Sequence, residues 1–418
     1  MTTASTAMAP RRGLAVRAIL RDPTFRRLWV SGLCVNVARG MDMLALAWLA
    51  LELTGSPFMV GLAAFIRSAP LIVIGPLAGI IADRVSRGRV LIVAQAAGAI
   101  VALGLCALFA TGRGGYWPLV ALEGLFGALW AIDFPARRAA LYTLMGPGRV
   151  ARAVSLETVS MQIAKMTGPL AAGLCLARFG PAVCFAVIAA VYVAGLAVSV
   201  GLGAHLAAPA PARGSLAASL GAGARAAWAI PTVRAVLLAT VAMNVLFFPF
   251  QHMLAVFVRD VLAAGPAWLG IMLAAEGFGS LVTALALASH GGVLHHRRLF
   301  AGSIVVLPLL LLALAGAHWK AVCLVVLVAI GVAESCYAAM QSTLVLLAAP
   351  EDARGGMMGI LSACIGTQPL GSLWIGLVAT GFGAPAAMAL NGAVALVAVA
   401  PVAWPLARGP DAPVARVT

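Results

Sequence analysis

Residues 75–91 read Gly-Pro-Leu-Ala-Gly-Ile-Ile-Ala-Asp-Arg-Val-Ser-Arg-Gly-Arg-Val-Leu. The stretch begins as an apolar helix rich in small residues, and Gly79 would let a neighbouring backbone approach closely. It ends in one acid, Asp83, among three arginines: Arg84, Arg87 and Arg89. A connector this short between two long apolar runs is typical of a polytopic membrane protein.

The composition agrees with a chain that has the bilayer as its solvent. Of the 418 residues, 63% are hydrophobic and 10% are charged, whereas soluble domains carry about 25% charged residues. A net charge of +15 would indicate nucleic-acid binding in a soluble protein. Here the basic residues cluster at the ends of apolar runs, so we expect the lipid bilayer, and no nucleic acid, as partner.

The seven cysteines lie inside apolar segments, and none of them forms a CxxC pair. This distribution favours buried small side chains over a metal site or a disulfide framework.

The apolar runs predict an all-α membrane protein. Spanning a hydrocarbon core of ~30 Å takes about 20 apolar residues in a helix. The sequence offers twelve such windows, numbered here in chain order: 28–53, 57–82, 90–111, 117–135, 153–177, 181–204, 233–257, 267–290, 298–316, 320–348, 356–381 and 384–407.

One long polar interruption, rich in Ala, Pro, Gly and Arg, separates six predicted helices from the other six. Its composition is typical of a flexible linker. The predicted organisation is a cytoplasmic tail at 1–27, a first six-helix bundle at 28–204, a cytoplasmic linker at 205–231, a second bundle at 232–407 and a cytoplasmic tail at 408–418.

The distribution of basic residues predicts the orientation. Of the 28 lysines and arginines, three lie inside predicted helices and four lie in loops on one side, which leaves 21 for the other side and the tails. Cytoplasmic loops carry the excess of Lys and Arg, so both termini are predicted to be cytoplasmic. The four on the opposite side are Arg113, Arg178, Arg259 and Lys320.

The two halves resemble each other in sequence. Pro23-Thr24-Phe25-Arg26 before helix 1 is echoed by Pro231-Thr232-Val233-Arg234 before helix 7, and Pro169-Leu170 in helix 5 by Pro369-Leu370 in helix 11. The shared order indicates a duplicated six-helix unit, as in transporters built from parallel repeats.

Two motifs are similar to those of the major facilitator superfamily. The stretch 75–91 resembles the superfamily's motif between helices 2 and 3, with matches at Gly79, Asp83, Arg84, Arg87, Gly88 and Arg89. Residues 164–173 resemble the antiporter pattern G-x-x-x-G-P-x-x-G-G of helix 5; two of its glycines are alanine here, while Gly168, Pro169 and Gly173 are kept. The resemblance implies twelve transmembrane helices in two pseudo-symmetric six-helix bundles with alternating access, and the Gly168-Pro169 pair permits a bend.

The resemblance also implies a cytoplasmic gate. In this gate Asp83 pairs with Arg137, Arg138 or Arg354 when the cavity is closed on the inside. The corresponding loop of the second half, 291–298, contains no aspartate, so we expect the first half to carry most of the gate. The expected gate residues are Gly79, Asp83, Arg84, Arg87, Arg137 and Arg354.

Four shorter stretches resemble the branch of enterobactin-type siderophore exporters and macrolide-efflux proteins. They are Phe25-Arg26-Arg27-Leu28-Trp29, Leu53-Thr54-Gly55-Ser56, Phe134-Pro135-Ala136-Arg137 and Arg354-Gly355. The resemblance implies drug or siderophore efflux across the bacterial cytoplasmic (inner) membrane. The chain departs from many proton-coupled drug exporters in helix 4, where Glu123 lies in the stretch that carries their arginine.

Ionisable residues inside predicted helices are the candidate site. A charge at a helix centre costs about 2.5–3.5 kcal/mol on insertion scales, so each one needs a reason. Arg39 and Asp42 lie three residues apart on one face of helix 1 and either neutralise each other or serve substrate or proton. The other four have no opposite charge three or four residues away, so partners must come from another helix or from the cargo. The predicted substrate and proton pathway comprises Arg39, Asp42, Arg67, Lys165, Glu276 and Glu334.

The signs of these charges differ between the halves. The three deep bases belong to the first half, and the second half contributes Glu276 and Glu334. We therefore expect a basic wall that holds an anionic group of the cargo, and a glutamate that exchanges the coupling proton. Glu123 is placed nearer the outer surface, where it faces water or has a structural role.

The sequence contains no nucleophile elbow, no HExxH and no phosphate-binding loop with a lysine, so we expect neither an enzyme nor an ATPase. The favoured function is proton-driven export of a small amphipathic or anionic molecule, either a siderophore-like metabolite or a hydrophobic drug, by a monomer without cofactor. The alternatives are an importer of a metal chelate or nutrient on the same fold, and a non-transporting sensor or membrane-embedded enzyme.

Overall fold

The computed structural model describes residues 19–84, 86–202, 216–289, 295–350 and 353–408. Within these ranges the side chains of 72–73, 75–84, 147–148, 151, 216–220, 222 and 288–289 are not described.

Helices make up almost all of the described chain, and nine of them are long and apolar enough to cross a membrane. Long apolar runs favour helices because a helix satisfies its backbone polar groups internally, which the bilayer cannot do. The helices of the first half are α1 (Pro23–Thr54), α2 (Pro57–Arg84), α3 (Arg87–Ala110) and a continuous run Tyr116–Ser199. Those of the second half are α7 (Pro231–Asp260), α8 (Pro266–Ser289), α9 (His296–Ala315), α10 (Lys320–Ala348), α11 (354–382) and α12 (384–408).

Glycines with positive φ divide the two longest helical runs. Gly146 (φ 65°) and Gly180 (φ 77°) break the run Tyr116–Ser199 into α4 (116–145), α5 (147–179) and α6 (181–199). Gly383 (φ 82°) separates α11 from α12. A side chain would be strained at these angles, so glycine allows the chain to reverse direction within one residue.

Two helices of the second half contain local irregularities next to a proline. In α7, Met243–Phe247 forms a π-helical turn just before Pro249. In α11, the helix Arg354–Ile365 ends in a turn at 366–367 and resumes at Gln368, with Pro369 in its first turn. The interruption lies at Gln368-Pro369 because proline removes a backbone donor and is accommodated where a helix begins.

Part of the expected flexible linker is a helix. Residues Leu216–Ala229 form what we call the linker helix, in agreement with their alanine content, since alanine has the highest helix propensity. The linker helix packs on α11 where two glycines cross: a Cβ on Gly223 would lie 2.6 Å from the Cα of Gly356. The connection between the halves is therefore attached to the start of α11.

The two halves meet at the end of the bundle away from the arginine-rich loops. Nη1 of Arg259, at the end of α7, donates to the carbonyl of Leu51 in α1 at 3.2 Å. The backbone N–H of Phe58 in α2 donates to Oγ1 of Thr380 in α11 at 3.1 Å. Below these contacts α2 and α11 touch at Gly61, where a Cβ would overlap the carbonyl of Ser372.

A second seam joins α5 to α8 through glycines on both helices. A Cβ on Gly173 would lie 2.5 Å from the carbonyl oxygen of Pro266, and one on Gly277 would lie 2.9 Å from the Cα of Met166. Small residues bring membrane helices into backbone contact, where dispersion and weak hydrogen bonds replace the missing hydrophobic driving force. These seams position the charged residues described below.

We expect Gly173→Ala to destabilise the protein by about 1–3 kcal/mol, because its methyl group requires α5 and α8 to move apart. The matched control is Gly302→Ala, since a Cβ at Gly302 meets nothing within 4 Å and removal of a helical glycine is neutral or stabilising. Thermal denaturation in detergent, followed by size-exclusion chromatography, compares the two. Equal melting temperatures for both variants would show that the seam is not tightly packed.

Candidate functional site

Two clusters of buried ionisable groups lie in the middle of the bundle. The first-half cluster consists of Asp42 from α1, Arg67 from α2 and Glu123 from α4. One guanidinium nitrogen of Arg67, Nη1, donates to Oδ2 of Asp42 and to Oε2 of Glu123. Asp42 and Glu123 are 0% exposed and Arg67 is 7% exposed, so all three are removed from solvent.

A glycine brings these helices together. Gly127 lies one turn from Glu123 in α4, and a Cβ there would overlap the carbonyl oxygen of Arg67. The backbones of α2 and α4 are therefore in contact beside the cluster, which keeps the side chains of Arg67 and Glu123 within hydrogen-bond distance.

The cross-half cluster joins α5 of the first half to α8 and α10 of the second. Nζ of Lys165 lies 2.9 Å from Oε1 of Glu276 and 2.7 Å from Oε2 of Glu334. Nε2 of Gln251, from α7, donates to Oε1 of Glu276 at 2.7 Å. Glu276 is fully buried, whereas the side chains of Lys165 and Glu334 are 26% and 19% exposed. The cluster is therefore open on the side of Lys165 and Glu334 and enclosed at Glu276.

Glycines also set the geometry of the cross-half cluster. At Gly331, one turn before Glu334, a Cβ would overlap the carbonyl oxygen of Glu276. Glycine therefore allows α8 and α10 to approach here. Oγ of Ser280 donates to the carbonyl of Gly331 at 3.0 Å and fixes α8 against α10.

The structure confirms that the isolated charges find partners on other helices: Arg67 on α1 and α4, and Lys165 on α8 and α10. Of the two alternatives for Arg39 and Asp42, the local ion pair is not formed. Asp42 bonds to Arg67, and the guanidinium of Arg39 lies over the ring of Trp130, 4.0 Å from its centroid. The indole ring of Trp130 binds Arg39 through a cation–π interaction. A sequence analysis that looks only for carboxylates does not predict such a partner.

The expected pairing of a basic wall with an acidic wall is found at Lys165, which contacts Glu276 and Glu334 of the other half, whereas Arg67 is paired with acids of its own half. Glu123 does not face water near the outer surface; it is buried against Arg67. Each cluster contains one base and two carboxylates, because a lone charge in a low-dielectric interior is costly and attracts counter-charges. Of the three deep bases, Arg39 is the one without a carboxylate within ion-pair distance among the described residues.

A cavity inside the first half adjoins the first-half cluster. It reaches Arg67 and contains the stacked pair of Arg39 and Trp130. Its other polar groups come from three helices: Gln95 of α3, Asp133 of α4 and Tyr192 of α6.

The expected gate residues are found only in part. The side chains of Gly79, Asp83 and Arg84 lie outside the described residues, so the pairing of Asp83 stays a prediction. Arg87 donates to the carbonyl of Ala139 at 3.1 Å and to Oγ1 of Thr143, which ties α3 to α4. Arg354 is exposed at the start of α11.

Arg137 has a partner that the sequence analysis missed. Its Nε and Nη2 donate to the two carboxylate oxygens of Asp133, both at 3.0 Å, and its Nη1 donates to the carbonyl of Leu28 and to Oγ of Ser31 in α1. The four-residue spacing between Asp133 and Arg137 was a visible signal for this pair.

The residues of the antiporter-like pattern serve close packing. A Cβ on Gly168 would lie 2.7 Å from the carbonyl oxygen of Val37 in α1, and Gly173 faces α8. The non-helical angles in this run occur at Gly146 and Gly180, so the helix continues through Gly168 and Pro169. The pattern thus places α5 between one helix of its own half and one of the other.

Residues 15–411 match the family described as transmembrane secretion effectors, within the major facilitator superfamily. The chain belongs to this family of membrane transporters. Its membership agrees with the expectation of a multi-pass membrane protein that carries a small molecule and is not an enzyme. Comparison with curated protein sequences gives no match.

Solved transporter structures share the fold of this transporter. A peptide transporter of the POT family in complex with alafosfalin has a TM-score of 0.73 at 14% identity, covering 96% of this chain and 100% of that one. A POT family transporter in complex with 5-aminolevulinic acid gives 0.72 at 11%, covering 90% and 94%. A bacterial homologue of the human lysosomal transporter Spinster, inward-facing and unoccupied, gives 0.68 at 13%, covering 93% and 98%. At such low identities the likeness concerns the fold alone.

We expect Lys165→Met to destabilise the transporter by about 3–5 kcal/mol, because it leaves Glu276 buried without its cation. Adding Glu276→Gln should restore part of the loss, since the amide needs no counter-charge. The control is Lys320→Met, because that ammonium lies over Trp268 rather than beside a carboxylate. Thermal unfolding in detergent measures all three variants, and equal melting temperatures for the Lys165 and Lys320 variants would contradict the role of the ion cluster.

Proposed function

We propose that the protein is a secondary active exporter that moves a small amphipathic or anionic molecule out of the cytoplasm in exchange for protons. The observation that carries the proposal is the cross-half cluster, because it places one base and two acids between the halves that must move in alternating access. The family of secretion effectors and the likeness in short stretches to siderophore and macrolide exporters support the direction.

The proposed topology has twelve membrane spans. Two of the nine apolar helical runs each contain a reversal, at Gly180 and at Gly383, and α2 adds one more span. The reversals fall between predicted helices 5 and 6 and between 11 and 12. With the arginine-rich loops inside, both tails and the linker are cytoplasmic, and the membrane is the bacterial inner membrane. We take the monomer, with two six-helix bundles, as the transporting unit.

The charge balance of the cross-half cluster supports proton coupling. With both carboxyl groups ionised, Lys165, Glu276 and Glu334 carry one net negative charge, and one bound proton makes the cluster neutral. Carboxylates that share a buried site cannot both remain ionised without cost. Glu334 is the better proton carrier of the two, because its side chain is 19% exposed while Glu276 is buried and accepts from Gln251.

Movement of the halves is linked to this proton. Lys165 and the two glutamates belong to different halves, so a rotation changes the distance between the ammonium and the carboxylates. A group that interacts differently with the two arrangements shifts the equilibrium between them by that difference. Protonation of Glu334 therefore favours one arrangement, and release of the proton favours the other.

The ion pairs of the two clusters also indicate where the cargo binds and what charge it carries. Arg67 and Lys165 are each occupied by two carboxylates, so an anionic group of the cargo would bind at Arg39, over Trp130. A cation on an aromatic face accommodates a planar anionic or catecholate group together with an apolar body. This favours a siderophore-like metabolite first and a hydrophobic antibiotic second.

Glu334→Gln is expected to abolish transport driven by a pH gradient while leaving exchange of cargo across the membrane intact, because the amide keeps the shape but binds no proton. Proteoliposomes with an imposed pH gradient and a panel of catecholates and macrolides measure the flux and its direction. The control is Glu52→Gln, at an exposed position of α1. Full proton-driven flux in both Glu334→Gln and Glu276→Gln would contradict the proposal that one of these glutamates exchanges the coupling proton.

Asp83→Asn is expected to weaken the state that is open to the outside, because the proposed inner gate then lacks its carboxylate. Cysteine labelling from each side of the membrane reports the balance between the two states. Unchanged accessibility in this variant would argue against the gate.

A further inference from the structure

The first-half cluster has the same excess of acid as the cross-half cluster but lies within one half. Arg67 is its single cation within ion-pair distance, and it faces the carboxyl groups of Asp42 and Glu123. If both were ionised, a net negative charge would be enclosed by α1, α2 and α4 at residues that are at most 7% exposed. One bound proton removes that charge.

The hydrogen bonds of the cluster are incomplete when both acids are ionised. Both carboxylates accept from the same nitrogen of Arg67, so the two groups are neighbours. The remaining oxygens, Oδ1 of Asp42 and Oε1 of Glu123, are buried and have no hydrogen-bond partner among the described atoms. Buried polar atoms without a partner are rare and costly. A protonated carboxyl group is also a donor, so one proton supplies the donor that this pair lacks.

The charged and titratable neighbours of the cluster do not remove the excess of acid. Asp133 of α4 is bound to Arg137, Tyr192 and Cys184 of α6 are neutral when protonated, and His252 of α7 makes no ion pair with either acid among the described residues. Arg39 of α1 is the nearest further cation, but it stacks on Trp130 and makes no ion pair with Asp42. The cavity beside Arg67 provides an approach for water.

We propose that Asp42 and Glu123 share one proton under Arg67, so that the first half holds a proton-binding site of its own, distinct from the cross-half cluster. All three members lie in the same half, so rotation of the halves does not separate them. The site does not depend on the proposed role of Glu334.

Infrared spectroscopy of the purified full-length protein at neutral pH tests the proposal, because the carbonyl stretch of a protonated carboxyl group shifts when its proton is exchanged for deuterium. The variants are Asp42→Asn and Glu123→Gln, with Glu52→Gln as the exposed control on α1. We expect each of the two cluster variants to lose one such carbonyl signal relative to the wild-type protein, since the remaining acid then pairs one-to-one with Arg67. The control should lose none.

Three results would overturn the proposal. One is a carbonyl signal that has the same intensity in both cluster variants as in the wild-type protein. Another is a signal that is absent from the wild-type protein and arises only in Arg39→Gln, because Arg39 would then be the balancing cation. The third is a loss of signal in Glu334→Gln alone, which would support the cross-half cluster and leave the first-half cluster without a proton.

Thermal unfolding adds a readout for variants that express poorly. With one shared proton, either single variant leaves a balanced ion pair and should melt near the wild-type temperature. The double variant Asp42→Asn/Glu123→Gln leaves Arg67 without an acid and should melt far lower than the sum of the single effects. Two single variants that each melt far below the wild-type protein would show that one remaining acid does not form a balanced pair with Arg67, which would contradict a shared proton.

Discussion

The low dielectric of the bundle interior is the constraint on which the arrangement of this transporter depends. A charge there is stable only beside an opposite charge or a proton, and each cluster combines one base with two acids from different helices. The helices must therefore approach closely at fixed heights. Glycines supply that approach beside both clusters, at Gly127 for Arg67 and at Gly331 for Glu276. The ion pairs therefore depend on close helix packing, since neither cluster can form unless its helices touch.

The two clusters differ in what a rotation of the halves does to them. Asp42, Arg67 and Glu123 move together, so their ion pairs persist through any rigid rotation. Lys165 and its two glutamates belong to opposite halves, so the proposed rotation would lengthen or reform their ion pairs. Gln251 binds Glu276 within the second half, so in the proposed rotation Glu334 would be the acid that is free to change its partner.

Much of the fold could be predicted from the sequence, because apolar runs of about 20 residues and the bias of basic loops follow directly from the solvent. The depth of Arg67, Lys165, Glu276 and Glu334 in these runs was enough to predict partners on other helices. The identity of those partners was not, since contacts between helices far apart in the sequence leave no periodic pattern. Arg39 shows why: its partner is the face of an indole, 91 positions away in the chain. The linker helix shows the opposite failure, since a composition read as flexible is also rich in the best helix former.

The seam at the end of the bundle away from the arginine-rich loops is built largely from backbone groups. Arg259 donates to a main-chain carbonyl, the N–H of Phe58 is the donor to Thr380, and α2 meets α11 across Gly61. The guanidinium of Arg259 also pairs with the exposed carboxylate of its neighbour Asp260, at 2.6 Å. Peptide groups and methylene surfaces do not titrate and are weakly affected by ionic strength, whereas an exposed ion pair is weakened by salt and by protonation of its carboxylate. A change of pH or salt at this end of the bundle would therefore loosen the contact at Arg259 first and leave the backbone contacts at Phe58 and Gly61 in place.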